Sequence, residues 1–446
     1  MAEEPDTAPW EWASAPGAGD PGQVAPNQAE ILTGYRDGQA PTAGAFNWWR
    51  GSVGRWVQYL REALSDAQTE LVTHAEALGE SIANDQLLAG QLATLSADLT
   101  QAIRDRAKQQ VSNWTRMTLP GAGSYVAVAA GYRSADATEP VLVAVGGTEG
   151  ALTSIAMSVD GLYWEERTLA MPHSDKMLYS VVYHQPDRKW ILAGEAISDV
   201  TSGVLWVTED PLEGAFVEVS GLEAAAYRAV VSTGDYVYAL GDVRNDVDLP
   251  AVRFRNGTIN SFWSIVEPAA LEGYPVYAAA SVGEGVFVLV GGDADHAYAA
   301  RYSAGFKAVT LPATLTRRSR SVVYNGRVAI LVCDDGRVAT SSDAGATWVE
   351  RTPVGALNSV DDTLLGAYLA ADPATGTVVG TTMTQDGAVK GVYATFDDGE
   401  TWQECATFQQ AGADSIARGQ VRAMGFALGR FYVLLDDNTI ACSMRF

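Results

Sequence analysis

Three sets of residues in this 446-residue chain have types and spacings that could do chemistry. The first is a series of carboxylates in short polar stretches: Asp246 and Asp248, then Asp293 and Asp295 beside His296, then Asp334 and Asp335. Clustered carboxylate oxygens are the hard ligands that Ca²⁺ or Mg²⁺ takes, and two facing carboxyl groups are the acid/base equipment of glycoside hydrolysis. The second set is one basic cluster, Thr316-Arg317-Arg318-Ser319-Arg320. Its planar guanidinium groups suit paired hydrogen bonds to a carboxylate or phosphate. The third is a repeat: residues 341–348 (SSDAGATW) and 395–402 (TFDDGETW) share the form Ser/Thr-x-Asp-x-Gly-x-Thr-Trp. Each set also has a plainer reading. A turn Asp caps the N–H groups of its own loop, a turn His beside two Asp residues is ordinarily solvated, and the arginines can pair with neighbouring Asp residues.

Composition limits the choice of chemistry. Asp and Glu number 54 against 30 Lys and Arg, a net charge of -24. So acidic a chain is repelled by phosphate backbones, which argues against nucleic acid; the charge serves solubility or cation binding. The Met1 end is acidic and lacks an apolar core, so no export signal is expected, and no apolar run is long enough to cross a bilayer. Cys333, Cys405 and Cys442 lie far apart in strand-like sequence, without metal-site spacing or a disulfide framework. They read as small buried hydrophobes of a protein folded in a reducing compartment.

The elements that must position these residues fall into three segments. Residues 1–42 are rich in Pro, Gly and Ala, too poor in aliphatic residues for a core, and carry Trp10 and Trp12. Two such anchors in a polar arm either dock on another protein or fold back on the next segment. Residues 43–110 contain no proline after Ala43 and show helical periodicity, with Leu60, Leu64, Ala67, Leu71, Ala75, Leu78 and Ile82 in steps of 4-3-4-4-3-4. The stripe slips phase and resumes at Leu88, Leu92, Leu95, Leu99 and Ile103. Eleven-residue spacing predicts a straight or slightly right-handed coiled coil. A narrow stripe on a helix of about 100 Å has no partner within its own chain, so the segment should self-associate in parallel.

From residue 112 to 446 the pattern becomes short alternating strands punctuated by Gly, Asp and Asn. The repeat sets the phase. Ser158, Asp160 and Trp164 form a copy shortened by one residue, and Thr208, Asp210 and Gly214 a looser one. Strand quartets mark off blades near 122–169, 176–222, 223–268, 274–312, 316–353 and 363–407. Residues 420–446 supply only three strands, and Trp114-Thr115-Arg116-Met117-Thr118, which copies the strand after each repeat, is expected to supply the fourth. The expectation is a seven-bladed β-propeller closed by residues 113–118, with six to eight blades allowed because the third and fourth carry no repeat.

The repeat resembles the Asp-box of sialidase-like β-propellers. That resemblance implies a structural role for Ser158, Asp160, Trp164, Ser341, Asp343, Gly345, Trp348, Thr395, Asp397, Gly399 and Trp402: the Asp accepts backbone N–H bonds, the Gly takes a positive φ and the Trp packs across the hairpin. The Phe/Tyr-Arg-Ile-Pro motif of sialidases does not occur; Arg253-Phe254-Arg255-Asn256 is the nearest stretch. No catalytic residue is therefore assigned.

Residues 27–50 resemble the virion-attachment segment that begins many tailed-bacteriophage tail fibres. The matching positions are Ile31, Gly34, Tyr35 (where Trp is usual), Gly38, Pro41, Phe46, Asn47 and Trp48. The resemblance implies a virion protein made in the bacterial cytoplasm, a homotrimer, and an arm (Trp10, Trp12 and the motif residues) docked on a tail or baseplate protein. The propeller would then bind a host cell-surface glycan or protein. The alternative is a sialidase-like tail enzyme, a depolymerase that cleaves surface glycan. No cofactor is expected beyond a divalent cation on the acidic turns. Because the chain enters at the start of an outermost strand, the face opposite the repeat turns should lead. Receptor binding is accordingly placed on Asp246, Asp248, Asp293, Asp295, His296, Arg317, Arg318, Arg320, Asp334 and Asp335.

Overall fold

The computed structural model describes residues 57–70, 82–111, 114–121, 124–133, 137–147, 153–167, 176–196, 203–219, 226–234, 236–241, 251–255, 264–266, 275–293, 295–351, 367–383, 389–404, 421–435 and 438–445. The arm residues Trp10, Trp12, Ile31, Tyr35, Pro41, Phe46, Asn47 and Trp48, and the turn residues Asp246 and Asp248, lie outside them.

Two compact units divide the chain, Met1–Gln101 and Ala102–Phe446. In the first, residues 57–70 and the start of a helix over Ile82–Gln110 are helical, as the periodicity predicts. Of the described stripe leucines, Leu60 (43%), Leu88 (43%) and Leu95 (58%) stand open, while Leu64, Leu92 and Leu99 are half-buried. No helix among the described residues is long and apolar enough to cross a membrane.

The second unit is a seven-bladed β-propeller. Its described strands form seven four-stranded antiparallel sheets, each in chain order from the axis outward except the last. The first strands of successive blades pack on one another around a closed ring that returns from Val421–Ala427 to Tyr125–Tyr132. Burial follows radial position. Second and third strands such as Ala329–Cys333 and Val338–Ser341 are buried throughout, between blades on both faces, so they read as continuous apolar runs. The outermost strands, such as Glu165–Glu166, are exposed. Cys333 and Cys442 are buried in inter-blade clusters as free thiols.

The seventh blade is shared between the two ends of the unit. Trp114–Thr118 pairs antiparallel with Thr439–Ser443 over five residues, so the N-terminal strand is the outermost strand of the last blade. A clasp follows: Leu119 N–H donates to Asn438 O at 2.9 Å, and Asn438 Nδ2 donates to the carbonyls of Leu119 at 3.1 Å and Gly121 at 2.7 Å. The last helical turns belong to this unit too. Ala107 and Val111 are buried with Phe396, Val421 and Phe431, and Gln110 Nε2 donates to Gly429 O at 2.8 Å.

Candidate functional site

Strand direction divides the loops between two faces. Turns from first to second and from third to fourth strand lie on one face; turns from second to third strand and the links between blades lie on the other, here the link face. The Asp-containing repeats fall on the first. In the fifth blade Asp343 Oδ1 accepts the N–H groups of Ala346 at 3.0 Å and Thr347 at 2.8 Å, while Thr347 Oγ1 donates to Oδ2 at 2.6 Å. Ser341 Oγ accepts Gly345 N–H at 2.8 Å. The sixth-blade turn repeats this with Thr395, Asp397, Gly399 and Thr401. The first-blade copy keeps the core of it through Ser158 and Asp160. Donors led by Thr347 hold the Asp343 carboxyl down at about 2.

These turns also join blades. Gly345 (φ 83°) lies against Val288 of the fourth blade, where a Cβ would sit 2.1 Å from Cγ2, and Trp348 is buried in the same inter-blade cluster. An arginine of the preceding blade recurs at three junctions: Arg301 donates to Ala344 O at 2.8 Å, Arg327 to Asp398 at 2.8 Å and Arg133 to Asp210 at 3.1 Å. The Asp oxygens and loop N–H groups named for these turns bond within the turn or across a blade junction.

A cavity of about 380 Å³ on this face is lined by Arg104, Arg327, Arg351, Asp397, Asp398 and Glu400, among others. Three arginines with three carboxylates invite comparison with a sugar-cleaving site, but all three carboxylates are engaged. Asp398 is held by Arg327, Glu400 lies 3.5 Å from Arg351, and Asp397 accepts from Thr401. Burial acts to raise the Asp397 pKa, yet the Thr401 and Thr395 donors outweigh it and the net shift is downward. A glycosidase acid must instead be held protonated. The cavity is an ion-paired blade junction.

The link face carries the described residues among those singled out for binding, and the structure brings part of that set together. Asp293 caps its own turn, accepting Asp295 N–H at 2.9 Å with His296 Nδ1 at 3.0 Å, contacts that lower its pKa. Arg317 reaches Asp295 at 3.6 Å from the next blade's link. Asp334 departs from the solvated-turn expectation: it is 4% exposed, gripped by Arg318 and by Arg320 Nε at 3.0 Å. The reason is topological, since the link into a blade and that blade's second-to-third turn meet on one face. Asp335 is half-buried beside Arg337 at 3.3 Å, and burial raises its pKa. Among the described residues no three His, Cys, Asp or Glu side chains are grouped to hold a metal ion, and Asp293, Asp295, Asp334 and Asp335 form loop caps and ion pairs.

Sequence reading missed most of a second feature of this face. In six blades the pairing of first and second strands shifts register near the start of the first strand, at its second residue in five of them, as between Tyr227 and Ala229, and at its fourth in the second blade. The skipped residues are Val126, Tyr179, Arg228, Tyr277, Arg320 and Arg422; the sixth blade, without the shift, has Tyr368 as its second residue. Taken around the ring, tyrosine and arginine alternate from Tyr179 to Arg422. Arg228 Cζ lies 3.8 Å over the Tyr179 ring and Arg320 Cζ 4.9 Å over that of Tyr277. Burial raises the Tyr368 hydroxyl pKa, against the opposing pull of nearby Arg320 and Arg422. The signal was available by aligning the blades on their first strands, but tyrosines and arginines at intervals of about fifty residues form no local motif.

No family model matches the chain, and none of the curated proteins compared with it matches. Solved structures do. YCF48 bound to D1 peptide superposes with a TM-score of 0.52 at 15% identity, covering 75% of this chain and 95% of that one. YCF48 from Cyanidioschyzon merolae gives 0.51 at 14%, covering 74% and 98%. U3-55K gives 0.51 at 10%, again covering 74% and 98%. At such identities the likeness is one of fold alone. This chain therefore carries a seven-bladed β-propeller, the class that its seven sheets define.

Proposed function

We propose that the chain is a homotrimeric tail fibre of a tailed bacteriophage, whose N-terminal arm docks on a tail or baseplate protein and whose propellers bind a host cell-surface glycan or protein. The observation that carries this reading is the run Ile31, Gly34, Tyr35, Gly38, Pro41, Phe46-Asn47-Trp48 followed directly by the helical stripe. Two further observations support it. Leu60, Leu88 and Leu95 lie open in the single chain, which favours parallel copies that cover them. The strand Trp114–Thr118 starts on the Asp-turn face, leaving the link face free to lead. The repeats fit Asp-box turns used as structural joints. Three propellers per fibre would turn weak single sites into firm attachment.

The test is adsorption. Fluorescently labelled full-length protein should stain cells of the bacterium that the phage infects, and excess unlabelled protein should compete with virions for those cells. Absence of both staining and competition would overturn the reading. Release of new reducing ends from purified surface polysaccharide would replace it with the glycan-cleaving alternative.

A further inference from the structure

We propose that the tyrosine–arginine ring at the axis, on the link face, is the receptor contact and that it binds a carboxylate-bearing oligosaccharide. This rests on the receptor-binding reading above and adds the ligand class and the residues.

The placement comes from the backbone. A bulge leaves one residue out of the ladder and re-aims its side chain, and here it recurs at one depth in six first strands, the strands that border the axis. The residues re-aimed are mainly large and functional: Tyr179, Arg228, Tyr277, Arg320 and Arg422, with Tyr368 as the sixth blade's counterpart. Neighbouring first strands are tied beside the ring, since Val230 N–H donates to Ser180 Oγ at 3.1 Å and Leu369 N–H to Ser321 Oγ at 3.2 Å. The ring is therefore set on rigid elements.

Its chemistry is unusual for this chain. A net charge of -24 makes a concentration of guanidinium groups at one place stand out. The acids nearest to it are already engaged: Asp334 is buried between Arg318 and Arg320, and Glu195, 6% exposed, accepts the Tyr179 hydroxyl. Stacking on tyrosine holds Arg228 and Arg320 in place, so little side-chain freedom is lost on binding. Guanidinium groups bind carboxylates through paired charged hydrogen bonds, and tyrosine combines an apolar ring with a polar hydroxyl, which suits a sugar's C–H faces and hydroxyls. The overall charge repels a long polyphosphate. An acidic peptide satisfies the arginines as well, but the ring sets out flat rings and guanidinium planes rather than apolar pockets for side-chain anchors, which favours the sugar.

The test uses the full-length protein and three probes: an oligogalacturonate, a neutral dextran oligosaccharide of equal length, and a poly-glutamate peptide. Calorimetry should show binding of oligogalacturonate alone, weakening as salt rises. Arg422→Gln, an exposed site, and Arg228→Gln should each weaken it about tenfold, the worth of one charged hydrogen bond. Lys307→Gln, which removes equal charge from an outermost strand, should leave it unchanged, and melting curves identify any variant that fails to fold. The proposal is overturned if oligogalacturonate does not bind, if poly-glutamate binds as tightly, or if folded Arg422→Gln binds like wild type. Cell staining separates the two readings. Staining that survives both arginine substitutions removes the ring while keeping the receptor-binding function; saccharide binding without staining removes the function while keeping the ring.

Discussion

At the scale of single residues, the Asp-containing turns show how one motif serves two ends. Asp343 organises its own loop, and the loop so shaped sets Gly345 against Val288 and Trp348 into the inter-blade cluster. Both residues should act on stability and leave cell binding intact. Trp348→Ala removes a nearly buried aromatic and should cost about 3 kcal/mol. Asp343→Ala leaves exposed N–H groups that water can satisfy and should cost about 1 kcal/mol. The Asp343 pKa, held at about 2, gives the second a pH signature. A depressed carboxyl contributes fully above the ordinary carboxylate range and loses its contribution as pH falls through the folded value. The gap in melting temperature between wild type and Asp343→Ala should therefore narrow from pH 5 toward pH 2. Melting curves across that range check both statements, and lost cell binding at unchanged stability would reverse the assignment. The motif was legible because its bonds run between residues two to four apart. Asp334 was not, because the arginines that bury it arrive on the link and at the start of the first strand, sixteen and fourteen residues upstream.

At the scale of elements, strand count and phase could be read from the sequence while strand details could not. Seven quartets followed from the repeat and from the likeness of Trp114–Thr118 to the strands after it, and seven sheets are what form. The bulges left no trace, since an unpaired residue differs from a paired one in geometry and not in type. The clasp between the two chain ends was expected as strand pairing; its side-chain component, Asn438, was not. Asn438 has φ 61°, a region its short polar side chain tolerates, and its amide ties Leu119 and Gly121 to the last blade. Asn438→Ala should lose both bonds and strain the backbone, lowering stability by about 2 kcal/mol. Hydrogen exchange should then rise first in Trp114–Thr118 and Thr439–Ser443. Uniform exchange across all blades would mean that the ring opens elsewhere.

At the scale of the whole molecule, the proposed self-association and the propeller fall to different parts of the chain. The open leucines lie before residue 102, whereas Ala107 and Val111 are already part of the propeller unit's core. Light scattering should give the full chain a mass three times 47.3 kDa. A chain beginning at Ala102 should be monomeric and folded, and one beginning at Trp114 should be less stable for want of the two helical core residues. A monomeric full-length chain would remove the stalk reading. What the sequence left undetermined at this scale is long-range charge arrangement. Composition says acidic, and only the closed ring shows that arginines from the third, fifth and seventh blades gather at one end of the axis.

The shared seventh blade has a mechanical consequence. A pull on the chain at Trp114 runs along the strand and loads its five-residue pairing with Thr439–Ser443 lengthwise, so that the bonds of the ladder resist together instead of parting one after another. Were the last blade built wholly from consecutive strands, the same pull would fall on the link into the first blade's innermost strand, Tyr125–Tyr132, and not on the pairing that closes the ring. Closing the ring with the entering strand therefore also makes the point where the chain enters the propeller a tension-bearing joint, which on the proposed fibre reading is what a tethered particle buffeted by flow requires.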